Sequence, residues 1–218
     1  MLTRLRRPGH RRGLGGGGRP AGDVPLSGGS VRSPPLRRGA ALLAPYSDDP
    51  TNRGLQLISP DALDKAVARA KKAGFQVCTH AIGDGASRSV LDAYAKVAKP
   101  EDRYRIEHAQ VVDPVDWPRF AKLGVIASMQ GIHCTSDAPF VVKRLGESRS
   151  RLGAYPWRSL LDAGVLVANG TDAPVEDVSP IESFYASVTR RRADSGLVFF
   201  PEQRMTREEA IYSYTLAN

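Results

Sequence analysis

Three residues with metal-ligand chemistry each stand at the end of a short apolar run. His80 closes residues 75–80, His108 closes residues 103–108, and Asp172 follows the run 164–171. Neutral imidazole nitrogens and a carboxylate are good ligands for zinc and related divalent ions. A catalytic zinc keeps one coordination position open for water and lowers the pKa of that water towards neutrality. A carboxylate that touches both ion and water can accept the proton as the water attacks a carbonyl or amidine carbon. Taken singly, a histidine after a strand is more often a hydrogen-bonded structural residue, and an aspartate before Ala-Pro a turn residue. Three of them at successive strand ends argue together for a site.

Strands that deliver functional residues to one face are the arrangement of a (β/α) barrel, whose sites lie at the C-terminal ends of the strands. The sequence around the three residues has that grammar. Residues 40–43 are a short apolar run, and 46–54 a turn-rich loop. Ser59-Pro60-Asp61 supplies an N-cap, a proline at the first helical position and a first-turn acid. The helix they open has Ala62, Leu63, Ala66, Val67 and Ala70 on one stripe and stops at Gly74. A strand over 75–80 and a helix over 84–98 follow, then a strand over 103–108. Asp113-Pro114 repeats the cap-and-proline start for a helix ending at Gly124, and 125–130 is a strand. Residues 131–157 are less regular, with a helix expected near 137–145. A short helix over 156–163, a strand over 165–171 and helices near 180–190 and 206–217 complete the pattern. Thr206 with Glu209 forms a capping box. The alternation predicts an α/β fold with a parallel sheet and helices outside. A complete eightfold barrel takes about 250 residues, so the expectation is a partial TIM-type barrel over residues 39–218.

The net charge of +8 invites a nucleic-acid reading until the charge is located. Residues 1–38 hold nine of the 31 Lys+Arg and one of the 23 Asp+Glu, which leaves 22 of each in the remainder. The excess basicity therefore lies in the leader, and the body is near neutral. With nine Gly and five Pro, the leader cannot bury enough apolar surface to offset chain entropy and is expected to be disordered. An Arg/Gly arm that binds RNA stands as a second alternative function, although it lacks interleaved aromatics, none of which precedes Tyr46; the favoured reading has no nucleic-acid partner. A mis-set start or reading frame before Gly39 is a further reading of this leader. Cys78 and Cys134 are too few for a disulfide framework and read as buried thiols of a reducing, cytoplasmic compartment. Neither a membrane-spanning apolar run nor a secretory signal is found. Among secondary candidates, Asp84 and Asp137 read as helix N-caps. Glu107 should point to the side of its strand opposite His108 and pair with Arg105 or Arg103. The Arg190–Arg192 run reads as a solvated helix end.

The motifs THAIGDGA (79–86), RIEHAQ (105–110), IASMQGIHCTSDAP (126–139) and NGTDAPVE (169–176) closely resemble the amidohydrolase superfamily. The resemblance is to its metal-dependent hydrolase branch, the amidohydrolase 3 or YtcJ-like family. The loop ALLAPYSDDPTNRG (41–54) and the segment YPWRSLLDAGV (155–165) share it, so that it runs from about residue 39 to 218. The resemblance implies the C-terminal half of a barrel and the hydrolysis of a non-peptide carbon–nitrogen bond of a small molecule by metal-activated water. His80 and His108 match the metal-ligand histidines after the fifth and sixth barrel strands. Asp172 matches the aspartate after the eighth, which binds metal and acts as general base. His133 lies where the family often has a histidine in the loop after strand seven; it reads either as a substrate contact or transition-state stabiliser or as a loop-packing residue.

One part of the family pattern has no counterpart. The His-x-His pair after the first strand is missing, since the only histidine before His80 is His10, in the leader. No bridging lysine or carboxylate from strand four is evident either. With half its first shell lacking, the divalent-metal site, for which zinc is the expected ion, should bind weakly. The chain is then expected to be inactive alone. A non-catalytic half-barrel that docks on a partner through its sheet edges stands as the alternative, and self-association into a homo-oligomer stays open.

Overall fold

The computed structural model describes residues 2–3 and 38–217. Its sheet runs β1 Leu2–Thr3, β2 Gln76–Ala81, β3 Arg105–His108, β4 Ile126–Gln130 and β5 Val167–Gly170, neighbours in that order. β2 to β5 are parallel, as the alternating pattern requires, and β1 lies antiparallel on the start of β2. The expected disorder of residues 1–38 otherwise falls outside the described residues, except at Arg38, whose guanidinium meets Asp48 at 3.2 Å.

α1 Pro60–Lys72 precedes β2, α2 Asp84–Ala95 joins β2 to β3, and α3 Trp117–Leu123 joins β3 to β4. α4 Gly131–Leu145, α5 Glu147–Gly153 and α6 Trp157–Asp162 lie between β4 and β5; α7 Pro180–Thr189 and α8 Arg207–Tyr214 follow. Caps read from the sequence are in place where their partners are local. Ser59 Oγ accepts the Ala62 amide, and Thr206 and Glu209 exchange backbone and side-chain hydrogen bonds. Among the described residues, no helix is long and apolar enough to cross a membrane.

The pleat divides the sheet into two faces. Thr79, Ile106, Ala127 and Val167 stand in register and are all buried on the helix side. With Leu91, Tyr94, Phe120 and Leu160 from the covering helices, the apolar members of that row form the main core. Each such fully buried Leu or Phe contributes about 1.5–3 kcal/mol. His80, Glu107, Ser128 and Ala168 stand in register on the other face. That row corrects the expected placement of Glu107, which shares the face of His80. His108 ends the strand with φ +75° and Ala109 follows at +44°, so alternation fails there. The His108 ring reaches the His80 ring, with centroids 4.2 Å apart. The expected ion pair is present: Arg105 Nε lies 3.0 Å from Glu107 Oε1, and Arg105 Nη2 donates to Ser128 Oγ at 2.8 Å.

Three further expectations are corrected by long-range packing. Asp84 is the first helical residue, not the cap; its Oδ1 accepts the amides of Leu43 and Gly85, each at 2.9 Å, and so pins the 41–54 loop. Asp137 lies inside α4, buried, where it accepts the Tyr155 hydroxyl. Arg190 is fully buried at the C-cap of α7, because Trp157 and Phe199 cover its guanidinium at 4.6 and 5.4 Å. Its Nε donates to Phe199 O at 2.6 Å and its Nη1 to Tyr155 O at 2.9 Å. Arg191 is exposed, as a solvated helix end requires.

Candidate metal centre

The C-terminal ends of the parallel strands bring four residues of interest together. His80 lies in the last turn of pleat of β2, His108 ends β3, and Asp172 follows β5 by two residues with φ +59°. His133 is not in a loop, as expected, but in the first turn of α4, which leaves β4 with no intervening residue. That helix starts early because other segments satisfy its first amides. Asn169 Oδ1 accepts Gly131 N at 2.9 Å, and Ser183 Oγ accepts Ile132 N at 3.0 Å.

Ligand-type atoms of His108, His133 and Asp172 lie within 4.8 Å of one another. His80 falls outside that trio, although its ring touches that of His108 edge-on, and the His108 and His133 rings stack at 5.9 Å. Nε2 of His80 and Nε2 of His133 are both buried without a hydrogen-bond partner. Unpaired buried nitrogens are costly unless something else engages them.

Two glutamines orient the imidazoles, and the sequence reading missed both. Gln130, the last residue of β4, places Oε1 2.8 Å from His108 Nδ1. An amide oxygen only accepts, so His108 carries its proton on Nδ1 and leaves the Nε2 lone pair for the site. Gln110 places Nε2 2.9 Å from His133 Nδ1. An amide nitrogen only donates, so His133 keeps its proton on Nε2, which lies 3.8 Å from Asp172 Oδ2. Both glutamines sit inside the quoted motifs, two residues after His108 and three before His133, which was the available signal.

Electrostatics keep the rings neutral. Burial first, then the neighbouring His108, pushes the pKa of His80 down to about 4 and that of His133 to about 3. Burial also lowers His108, against the hydrogen bond it donates to Gln130. Burial raises Asp172; His80 pulls it down and the charge of Glu107 adds to the rise. Neutral imidazoles and a half-buried carboxylate are what a divalent cation requires of its ligands.

The sequence profile of the amidohydrolase family matches residues 26–218. The chain belongs to that family. It is 35% identical over 181 residues to YtcJ of Bacillus subtilis strain 168, named as a candidate amidohydrolase; the match covers 82% of this chain and 34% of that protein. It is 31% identical over 170 residues to the N-substituted formamide deformylase of Arthrobacter pascens, covering 76% and 31%. Among solved structures, an uncharacterized metal-dependent hydrolase from Pyrococcus furiosus superposes with a TM-score of 0.72 at 35% identity, covering 83% of this chain and 36% of that one. The chain thus spans about a third of the length of the relatives it matches. The family likeness and the parallel sheet together make the fold a segment of an amidohydrolase barrel.

Proposed function

We propose that this chain carries the metal-binding strand ends of an amidohydrolase that hydrolyses a non-peptide carbon–nitrogen bond of a small molecule. His80, His108 and Asp172 are the ligands, and zinc is the ion that suits two imidazoles and a carboxylate. The observation that carries this reading is a pair of unpartnered nitrogens on touching rings: the buried Nε2 of His80, and the Nε2 lone pair that Gln130 leaves free on His108. A divalent ion held there would supply Lewis acidity and a water of lowered pKa.

The remaining chemistry belongs to the chain. Asp172, half exposed at the mouth of the site, accepts the proton of the attacking water. The Nε2–H of His133 donates to the carbonyl oxygen of the substrate as negative charge develops on it. Gln130 and Gln110 hold the two rings in these tautomers. The activity in the name of the Arthrobacter relative, removal of a formyl group from a substituted nitrogen, supports the bond class. Among the described residues no His-x-His pair joins these ligands. Its buried thiols fit a reducing, cytoplasmic compartment.

Titration of the chain with Zn2+ tests the ligand set. Binding should be lost in His80→Ala, His108→Ala and Asp172→Asn and kept in His133→Ala. Binding that survives His80→Ala but not His133→Ala would replace the proposed trio by His108, His133 and Asp172.

A further inference from the structure

His133 is held by more than the glutamine beside it. Gln110 Nε2 donates to His133 Nδ1 at 2.9 Å, and the Gln110 carbonyl accepts Tyr155 N at 2.6 Å. The Tyr155 hydroxyl donates to Asp137 Oδ2, and Asp137 stands four residues, about one helical turn, after His133 on α4. The path therefore closes on His133 through the turn of α4 that holds both residues. Each of Gln110, His133, Asp137 and Tyr155 is 1% exposed, so water does not compete for these bonds.

Tyr155 is the junction of this circuit. It takes a left-handed backbone, φ +51°, which a bulky side chain adopts only where its surroundings over-determine it. The surroundings here are its amide on Gln110, its hydroxyl on Asp137 and its carbonyl on Arg190 Nη1 at 2.9 Å. Arg190 is itself clamped over Trp157 and tied to Phe199 O. The circuit is thus anchored to the far end of α7, the helix that follows Asp172.

We propose that Asp137 and Tyr155 are positioning residues for His133: the closed Gln110–Tyr155–Asp137 circuit fixes the first turn of α4 so that His133 accepts at Nδ1 and presents its Nε2–H to Asp172 and the substrate. This deepens the role given to His133 above and rests on that reading. Neither residue touches the reacting atoms; both act through Gln110 and the helix turn. Losing one bond of about 1 kcal/mol from such a circuit lowers the ratio of bonded to unbonded states about fivefold.

The test reads the hydrogen bond directly, on the full chain without metal or turnover, so that a failed metal titration and a failed circuit are separate results. In 15N-labelled protein, a scalar coupling across Gln110 Nε2–H···Nδ1 His133 is expected, with slow exchange of the Gln110 amide protons. Tyr155→Phe should weaken the coupling and speed that exchange about fivefold. Asp137→Asn, which keeps an acceptor for the Tyr155 hydroxyl, should preserve both. An unchanged coupling in folded Tyr155→Phe would overturn the proposal. The wild-type chain decides the matter even if that variant does not fold: a His133 with its proton on Nδ1 and no coupling to Gln110 would overturn it equally.

Discussion

Replacing Asp137 by asparagine should flatten part of the pH dependence of folding stability. Burial pushes the Asp137 carboxyl up from 3.8 to about 7; the Tyr155 hydrogen bond pulls it down, and the charge of Glu176 adds to the rise. In the unfolded chain the same group ionises near 3.8. Between those values the folded protein holds a proton that the unfolded chain has released. The stability contributed by the protonated form is complete below pH 3.8 and is lost as pH rises to about 7. At about 1.36 kcal/mol per pH unit, the loss is about 4 kcal/mol over the whole window, of which roughly 3 kcal/mol falls between pH 5 and pH 8. His80, His108 and His133 are shifted downward, so their contributions have the opposite sign and are lost as pH falls. The wild-type profile alone is therefore not diagnostic, whereas the difference between two proteins that share those histidines is. Asparagine keeps the acceptor for Tyr155 and does not titrate. Urea unfolding of both proteins should show the variant gaining about 3 kcal/mol on wild type when the pH is raised from 5 to 8. A difference that is the same at both pH values would refute the raised pKa of this buried carboxyl.

Two other substitutions probe the packing that places α4 and α7. A Cβ at position 131 would come 2.2 Å from Ser187 Oγ and 2.6 Å from Ser183 O, so Gly131→Ala should cost about 1–3 kcal/mol by overpacking. A thermal midpoint within a degree or so of wild type would show that the helices can part at little cost. Arg190→Lys should cost about 3 kcal/mol in urea unfolding, since a lysine cannot reach Phe199 O and Tyr155 O together or stack on Trp157. Wild-type stability in that variant would mean that the charge alone matters.

What the sequence made legible was whatever depends on near neighbours. Ser59, Thr206 and Glu209 cap helices that begin within three residues of them, and the apolar runs that end in His80 and His108 became strands. α4 was placed six residues late because its first amides are met by Asn169 and Ser183, 38 and 51 residues away, and no local cap marks its start. The burial of Arg190 was hidden for the same reason, since its aromatic cover comes from Trp157 and Phe199. Glu107 was misplaced by a rule that holds for a regular pleat and fails where His108 turns left-handed. The orientation of the site was the least legible part. A histidine announces ligand chemistry by its type, but which nitrogen it offers depends on its second partner. Those partners are Gln110 and Gln130, uncharged residues that reach across 23 and 22 positions to opposite choices, one donating and one accepting. The same residue type therefore leaves the Nε2 lone pair free on His108 and keeps a proton on Nε2 of His133, and only the fold says which is which.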